Sequence, residues 1–181
     1  MKLSEEDGRL YYDLWLPLLD YVNGKHGVRK EVKKMANASN LNPEDVKAVA
    51  NKMYEDVTII DEYLSLHEEL PEEHRAIIAS WKKCIRGRFI MERHLKKGSM
   101  LISITDETVY QVIGIMSSLE EMFWYASTPM MIEATLLPFK EFIITDGLVV
   151  PFNIHFGGNM TRNLKDIYRS AKNNDEIVTS L

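Results

Sequence analysis

Apolar positions in the first half of the chain recur every three or four residues. Leu10, Leu14, Leu18 and Tyr21 form one row, widened by Tyr11, Trp15, Leu19 and Val22. So broad a stripe predicts a helix held between neighbours rather than laid on a surface. Ser4 ahead of Glu5, Glu6 and Asp7 offers a capping hydroxyl and an acidic first turn. Pro17 inside the row predicts a kink or a restart, and Asn23-Gly24 predicts the end. A short basic helix is expected over residues 28–36. Asn42 then caps a third helix with Pro43 at its first position, buried through Val46, Val49, Ala50 and Met53. A fourth is expected over residues 56–66. A fifth starts at Pro71 and buries Ile77, Ile78, Trp81 and Ile85.

Past Gly87 the period shortens to two. Strands are expected from Phe89, over residues 100–104 and 109–115, and again over 131–137, with turns at Lys97-Gly98 and residues 105–108. Ser117 and Ser118, each three residues ahead of a glutamate, predict a doubled capping box on a short helix over 117–125. Residues 142–150 read as a two-residue Asp146-Gly147 hairpin pairing Thr145 with Leu148, Ile144 with Val149 and Ile143 with Val150. Both faces of that hairpin would be apolar and would need cover. Leu164, Ile167, Tyr168 and Ala171 mark a last helix over 161–172. Strands grouped after helices favour an α+β fold. The expected architecture is a helical region, residues 1–85, then an antiparallel β region, residues 86–181, forming a small sheet or barrel closed by the C-terminal helix.

Composition changes this picture little. Of 181 residues, 45% are hydrophobic and 27% charged, which is ordinary for a globular protein and unlike a disordered chain. No apolar run is long enough for a membrane helix. The acidic start does not resemble a signal peptide. Cys84 has no partner for an intrachain disulfide. A cytoplasmic setting is the expectation. The formal charge is −5, which makes nucleic acid an unfavoured partner. Two basic spots run against that balance: Lys25, Arg29, Lys30, Lys33 and Lys34, and Arg86, Arg88, Arg93, Lys96 and Lys97.

Candidate chemistry is sparse. His67 and His74 are seven residues apart across Pro71, which breaks the helical face a zinc pair needs, so no metal or cofactor is expected. Cys84 near a helix C-terminus should have a raised pKa and low reactivity. A helix-turn-helix over residues 28–55 would point Glu44 and Asp45 at phosphates, which disfavours DNA reading. Residues 156–162 place Gly157-Gly158 and Arg162 after a strand and before a helix, where an anion could sit, yet they complete no phosphate-binding fingerprint. Phe123, Trp124 and Met130 are candidates for contact with a partner. Arg88, His94, Asp146, His155 and Arg162 are candidates for ligand binding, and Arg88, His94 and His155 would define a small-ligand or catalytic pocket if they converge. No catalytic residue is assigned.

Residues 80–97 (SWKKCIRGRFIMERHLKK), 136–148 (LLPFKEFIITDGL) and 151–158 (PFNIHFGG) resemble segments of an uncharacterised family of bacterial proteins, chiefly from low-GC Gram-positive species. The resemblance implies a bacterial cytoplasmic protein and carries no activity, ligand or catalytic residue. The leading expectation is a non-catalytic interaction or binding module, with an unidentified protein partner or self-association. An enzyme or small-ligand binder is the alternative, and nucleic-acid binding the second alternative.

Overall fold

Caps and prolines divide the first part of the chain into four α-helices: α1 (Glu5–His26), α2 (Pro43–Glu55), α3 (Thr58–Leu66) and α4 (Glu72–Ser80). The structure is a computed structural model that describes residues 1–30, 34–37 and 41–181. Its α+β chain separates into two compact units, Glu5–Lys82 and Met1–Ser4 with Lys83–Leu181. No helix among the described residues is long and apolar enough to cross a membrane.

In the helical unit, α1 runs through Pro17 without restarting. The proline removes one N–H, while Leu14, Trp15, Leu18, Leu19 and Val22, buried on either side of it, hold the axis by packing. Gly24 stays helical, and the helix ends instead at Gly27, whose φ of 62° suits a glycine terminator. The side chain of Asn23 fixes the following bend by accepting from the Arg29 N–H at 2.8 Å and donating to the Arg29 carbonyl at 3.0 Å. The helix expected over residues 28–36 does not form where the chain is described. Residues 28–30 are irregular, and Met35–Asn37 is a single 3₁₀ turn whose Met35 and Ala36 N–H groups donate to the Asp20 carboxylate. Residues 31–33, including Lys33 of the first basic spot, lie outside the described residues. Among the described residues there is therefore no first helix of a helix-turn-helix.

The Asn42 cap is present, its side chain accepting from the Glu44 N–H at 3.0 Å. Arg75 of α4 donates to the Leu64 and His67 carbonyls, both at 2.8 Å, which satisfies the end of α3. His67 pairs with Glu69 and stacks on Tyr63, so it belongs to an inter-helix turn. Among the described residues no cluster of three potential metal ligands occurs.

The second unit contains β1 (Ile85–Leu95), β2 (Gly98–Ser103), β3 (Val109–Ile113), α5 (Leu119–Met122), β4 (Met130–Phe139), β5 (Phe142–Thr145), β6 (Val150–Pro151) and α6 (Gly158–Asn173). Strands pair in the order β1-β2-β3-β5-β4, and β4 returns to pair with β1 over seven residues, Ile85↔Leu136 to Met91↔Met130. The sheet therefore closes into a five-stranded barrel. Every pairing is antiparallel except β3–β5, which is parallel.

Alternation along the strands sorts residues between two cores. Phe89, Met91, Leu101, Val112, Ile132, Leu136 and Ile143 fill the barrel, joined by Leu119 of α5 and by Phe123. Ile90, Met100, Ile102 and Val109 point outward and are covered by Leu164, Tyr168 and Ala171 of α6. Thus α6 lies on the outer face of β1, β2 and β3. Glu92 is an extra residue in β1, between Met91↔Leu101 and Arg93↔Met100, and the bulge re-aims its side chain. Glu92 is buried and forms a two-point ion pair with Arg93, while the Arg93 guanidinium stacks 4.1 Å from the Tyr168 ring centre.

The Asp146-Gly147 hairpin is not formed. Thr145 pairs with Leu136 of β4, and Val150 and Pro151 pair farther along the same strand, with Glu133 and Ile132. Residues 142–152 thus follow one edge of β4, with the Asp146 N–H still donating to the Thr135 carbonyl at 3.1 Å, and form a bulge over 147–149. The Asp-Gly chemistry is used inside that bulge. Gly147 has φ 82°, and the buried Asp146 carboxylate accepts from the Leu148 N–H at 3.0 Å. The two-residue turn falls instead at Lys140-Glu141, between paired Phe139 and Phe142, with Lys140 at φ 52°. Both faces of β5 are nevertheless buried: Ile143 packs in the barrel core, and Ile144, on the opposite face, is fully buried as well.

Candidate functional site

The barrel unit has an open groove of about 730 Å³ between residues 125–130 and residues 151–156, within the ordinary size range of ligand sites. Its first wall begins at α5. Of the two serines expected to cap it, Ser118 does so. Its hydroxyl accepts from the Glu121 N–H at 3.2 Å, and the Glu121 carboxylate accepts from the Ser118 N–H at 2.8 Å, which holds that carboxyl below its usual range. One turn later Phe123 drops into the barrel core, and the Ala126 N–H closes onto its carbonyl at 2.9 Å. With Phe123 inside, the next two residues project outward: Trp124 is 82% exposed and Tyr125 63%. Their rings meet edge to face. A cis Thr128-Pro129 bond precedes Met130, which is buried at the start of β4 and also lines the groove.

The opposite wall peels away from β4. Phe152 makes a last ladder bond to the Met131 carbonyl at 2.9 Å. The chain then leaves the sheet through Asn153, Ile154, His155 and Phe156, all on the groove. Arg88, pointing outward from β1, places its guanidinium 5.1 Å from the Phe152 ring centre, a cation–π distance. Glu133 is its cross-strand neighbour. Thr161 of α6 completes the groove and also borders a second concavity of about 530 Å³ lined by Gly158, Arg162, Lys165, Asp166 and Arg169.

The candidates named from sequence are therefore dispersed. His155 lines the groove, Arg88 stacks on its wall, and Arg162 lies in the adjoining concavity. Asp146 is buried and serves the β5–β6 bulge. His94 lies six residues along β1 from Arg88, roughly 20 Å at strand rise, with Nδ1 2.8 Å from the Ser99 hydroxyl. Arg88, His94 and His155 do not form one pocket. Of the three partner-contact candidates, Trp124 is exposed, whereas Phe123 and Met130 are core residues. Tyr125, which adjoins Phe123 and Trp124 in the aromatic set read from sequence, lines the groove, as do Phe156 and Thr161 of the stretch 156–162; Phe152 was not selected from sequence. The available signal was a pair of proline-punctuated segments (Pro129, Pro151) carrying aromatic residues.

Electrostatics gives the groove little acid–base capacity. Its lining includes no carboxylate and no thiol, and His155 and Tyr125 are its titratable groups. Cys84 lies elsewhere in the unit, its thiol pushed up by burial and only partly offset by Arg86. What the arrangement offers is flat apolar surface with a few hydroxyl, amide and imidazole groups. Burial also holds His94 below the usual imidazole range. The unfolded chain then binds the proton more readily, so stability should fall as pH drops through about 6.5. Urea midpoints at pH 7.5 and 5.5 should differ less in His94→Gln than in the wild type.

No protein-family model, curated protein or solved structure matches this chain.

Proposed function

We propose that this chain is a non-catalytic binding module that takes its ligand in the groove between residues 125–130 and 151–156. The observation that carries the reading is the exposure of two adjacent aromatic residues, Trp124 and Tyr125, of which Tyr125 lines the groove and Trp124 meets its ring edge to face. An exposed tryptophan sacrifices about 1.5–3 kcal/mol of burial. Exposed aromatics of this kind are typical anchors of interaction surfaces.

Trp15 and Trp81 are buried, so acrylamide quenching reports mainly on Trp124. In a panel of peptides, nucleotides, oligonucleotides and small organic acids, at least one class should protect Trp124 from quenching. Tyr125→Ala should weaken that ligand about tenfold, in keeping with an aromatic contact of about 1.4 kcal/mol. Light scattering on the same samples reads self-association. Absence of protection across the panel at millimolar concentrations, or chemical turnover of a protecting compound, would overturn the proposal.

A further inference from the structure

We infer that the groove and the basic face of α6 together bind single-stranded nucleic acid, with bases against the groove aromatics and phosphates along α6. This rests on the reading of the groove as the ligand site and names its ligand class. Charge complementarity is the first support. The helix α6 carries Arg162, Lys165, Arg169 and Lys172 at spacings of three and four residues, with Asp166 as its one acidic residue. Asp166 already lies 3.5 Å from Arg169. The unit of Met1–Ser4 and Lys83–Leu181 has 12 Lys or Arg and 11 Asp or Glu, against 10 and 16 in Glu5–Lys82. The chain's acidity therefore resides in the helical unit, not in the unit that holds the groove.

Continuity is the second support. Thr161 borders both concavities, so a strand with bases on Tyr125 and Phe152 would bring its backbone to Arg162 and Lys165. The groove also has the chemistry that stacking requires: flat faces with no carboxylate to repel phosphate. Arg88 over Phe152 adds a planar cation, although neighbouring Glu133 offsets its charge. Aromatic platforms beside a basic track are how single strands are held without sequence preference. The outer face of β1, β2 and β3 lies under α6, so the proposed surface is the groove and the solvent side of that helix.

Fluorescence anisotropy with fluorescein-labelled 12-nucleotide oligothymidylate and oligouridylate tests the inference, with a 12-base-pair duplex and a polyglutamate peptide alongside. Single strands should bind, and the affinity should fall with salt along a log–log slope near −2, the value for about three phosphate contacts. Combining Arg162→Gln, Lys165→Gln and Arg169→Gln should flatten the slope towards zero. Trp124→Ala with Tyr125→Ala should weaken binding tenfold or more and leave the slope unchanged, since a lost stack is uncharged. All five positions are on exposed or partly exposed surface, and thermal melts confirm folding. Equal affinity for duplex or polyglutamate, or indifference to the aromatic pair, overturns the inference. If oligonucleotides fail while another panel ligand still protects Trp124, this inference falls and the binding-module reading stands. If nothing protects Trp124, both fall.

Discussion

Replacing Gly114 with alanine is expected to destabilise the barrel unit by about 3 kcal/mol or more, the upper end of overpacking costs. An added Cβ would sit 1.7 Å from the Ser117 carbonyl oxygen and 2.8 Å from the Ser118 Cα. These are backbone atoms, so no rotamer change relieves the clash. The chain after β3 must turn tightly there to place Ser118 as the cap of α5. The same residue is a junction, because its N–H donates to the Met1 carbonyl at 3.2 Å and its carbonyl accepts from the Leu3 N–H at 2.9 Å. Displacing it therefore disturbs three segments at once. Gly158→Ala is the matching control. A Cβ there meets nothing within 4 Å, and alanine in a helix is worth about 0.5–1 kcal/mol over glycine. Chemical denaturation of both variants should show opposite signs. A Gly114→Ala protein as stable as the wild type would refute the packing described around that turn.

The second large effect is expected at Arg93. Glu92 has a side chain only 3% exposed, and its ion-pair partner Arg93 is 32% exposed. Arg93→Ala leaves the Glu92 carboxylate buried without its partner and removes the stack on Tyr168. Breaking a buried pair from one side costs about 3–5 kcal/mol. Partial solvation of Arg93 reduces the expectation to about 2–3 kcal/mol. Melting temperature should fall by roughly 4–12 °C, with α6 loosened first because Tyr168 is its contact to the pair. Replacing both Glu92 and Arg93 with methionine removes the stranded charge and should recover most of the loss. A double variant no better than Arg93→Ala would show that the stack on Tyr168, rather than the charge, is what matters.

Much of this structure was legible in residue order. The caps at Asn42 and Ser118, the prolines at the starts of α2 and α4, the change of hydrophobic period near Gly87 and the amphipathic pattern of α6 are each decided within a few neighbouring residues. Such signals survive into the fold because local hydrogen bonds and one buried face satisfy them. Pro17 and Gly24 were misleading for the opposite reason: packing along α1 outweighed a lost hydrogen bond and a weak helix former. The site was less legible. Trp124 stood out as an aromatic residue in a loop, but its exposure follows from Phe123 being taken into the barrel, which depends on strands far away in sequence.

By itself, then, the order of residues determined the α+β class, the extent of most helices and strands, and the absence of a spaced catalytic motif. Tertiary structure alone decided that β4 closes on β1, that α6 covers β1, β2 and β3, and that the groove lies where residues 151–156 leave the sheet. It also decided the fate of Asp146-Gly147. A local Asp-Gly signal is satisfied equally by a hairpin or by a bulge, since both provide a positive φ and a carboxylate acceptor. The choice between them belongs to the long-range partner, β4, whose edge takes up residues 142–146 and 150–152.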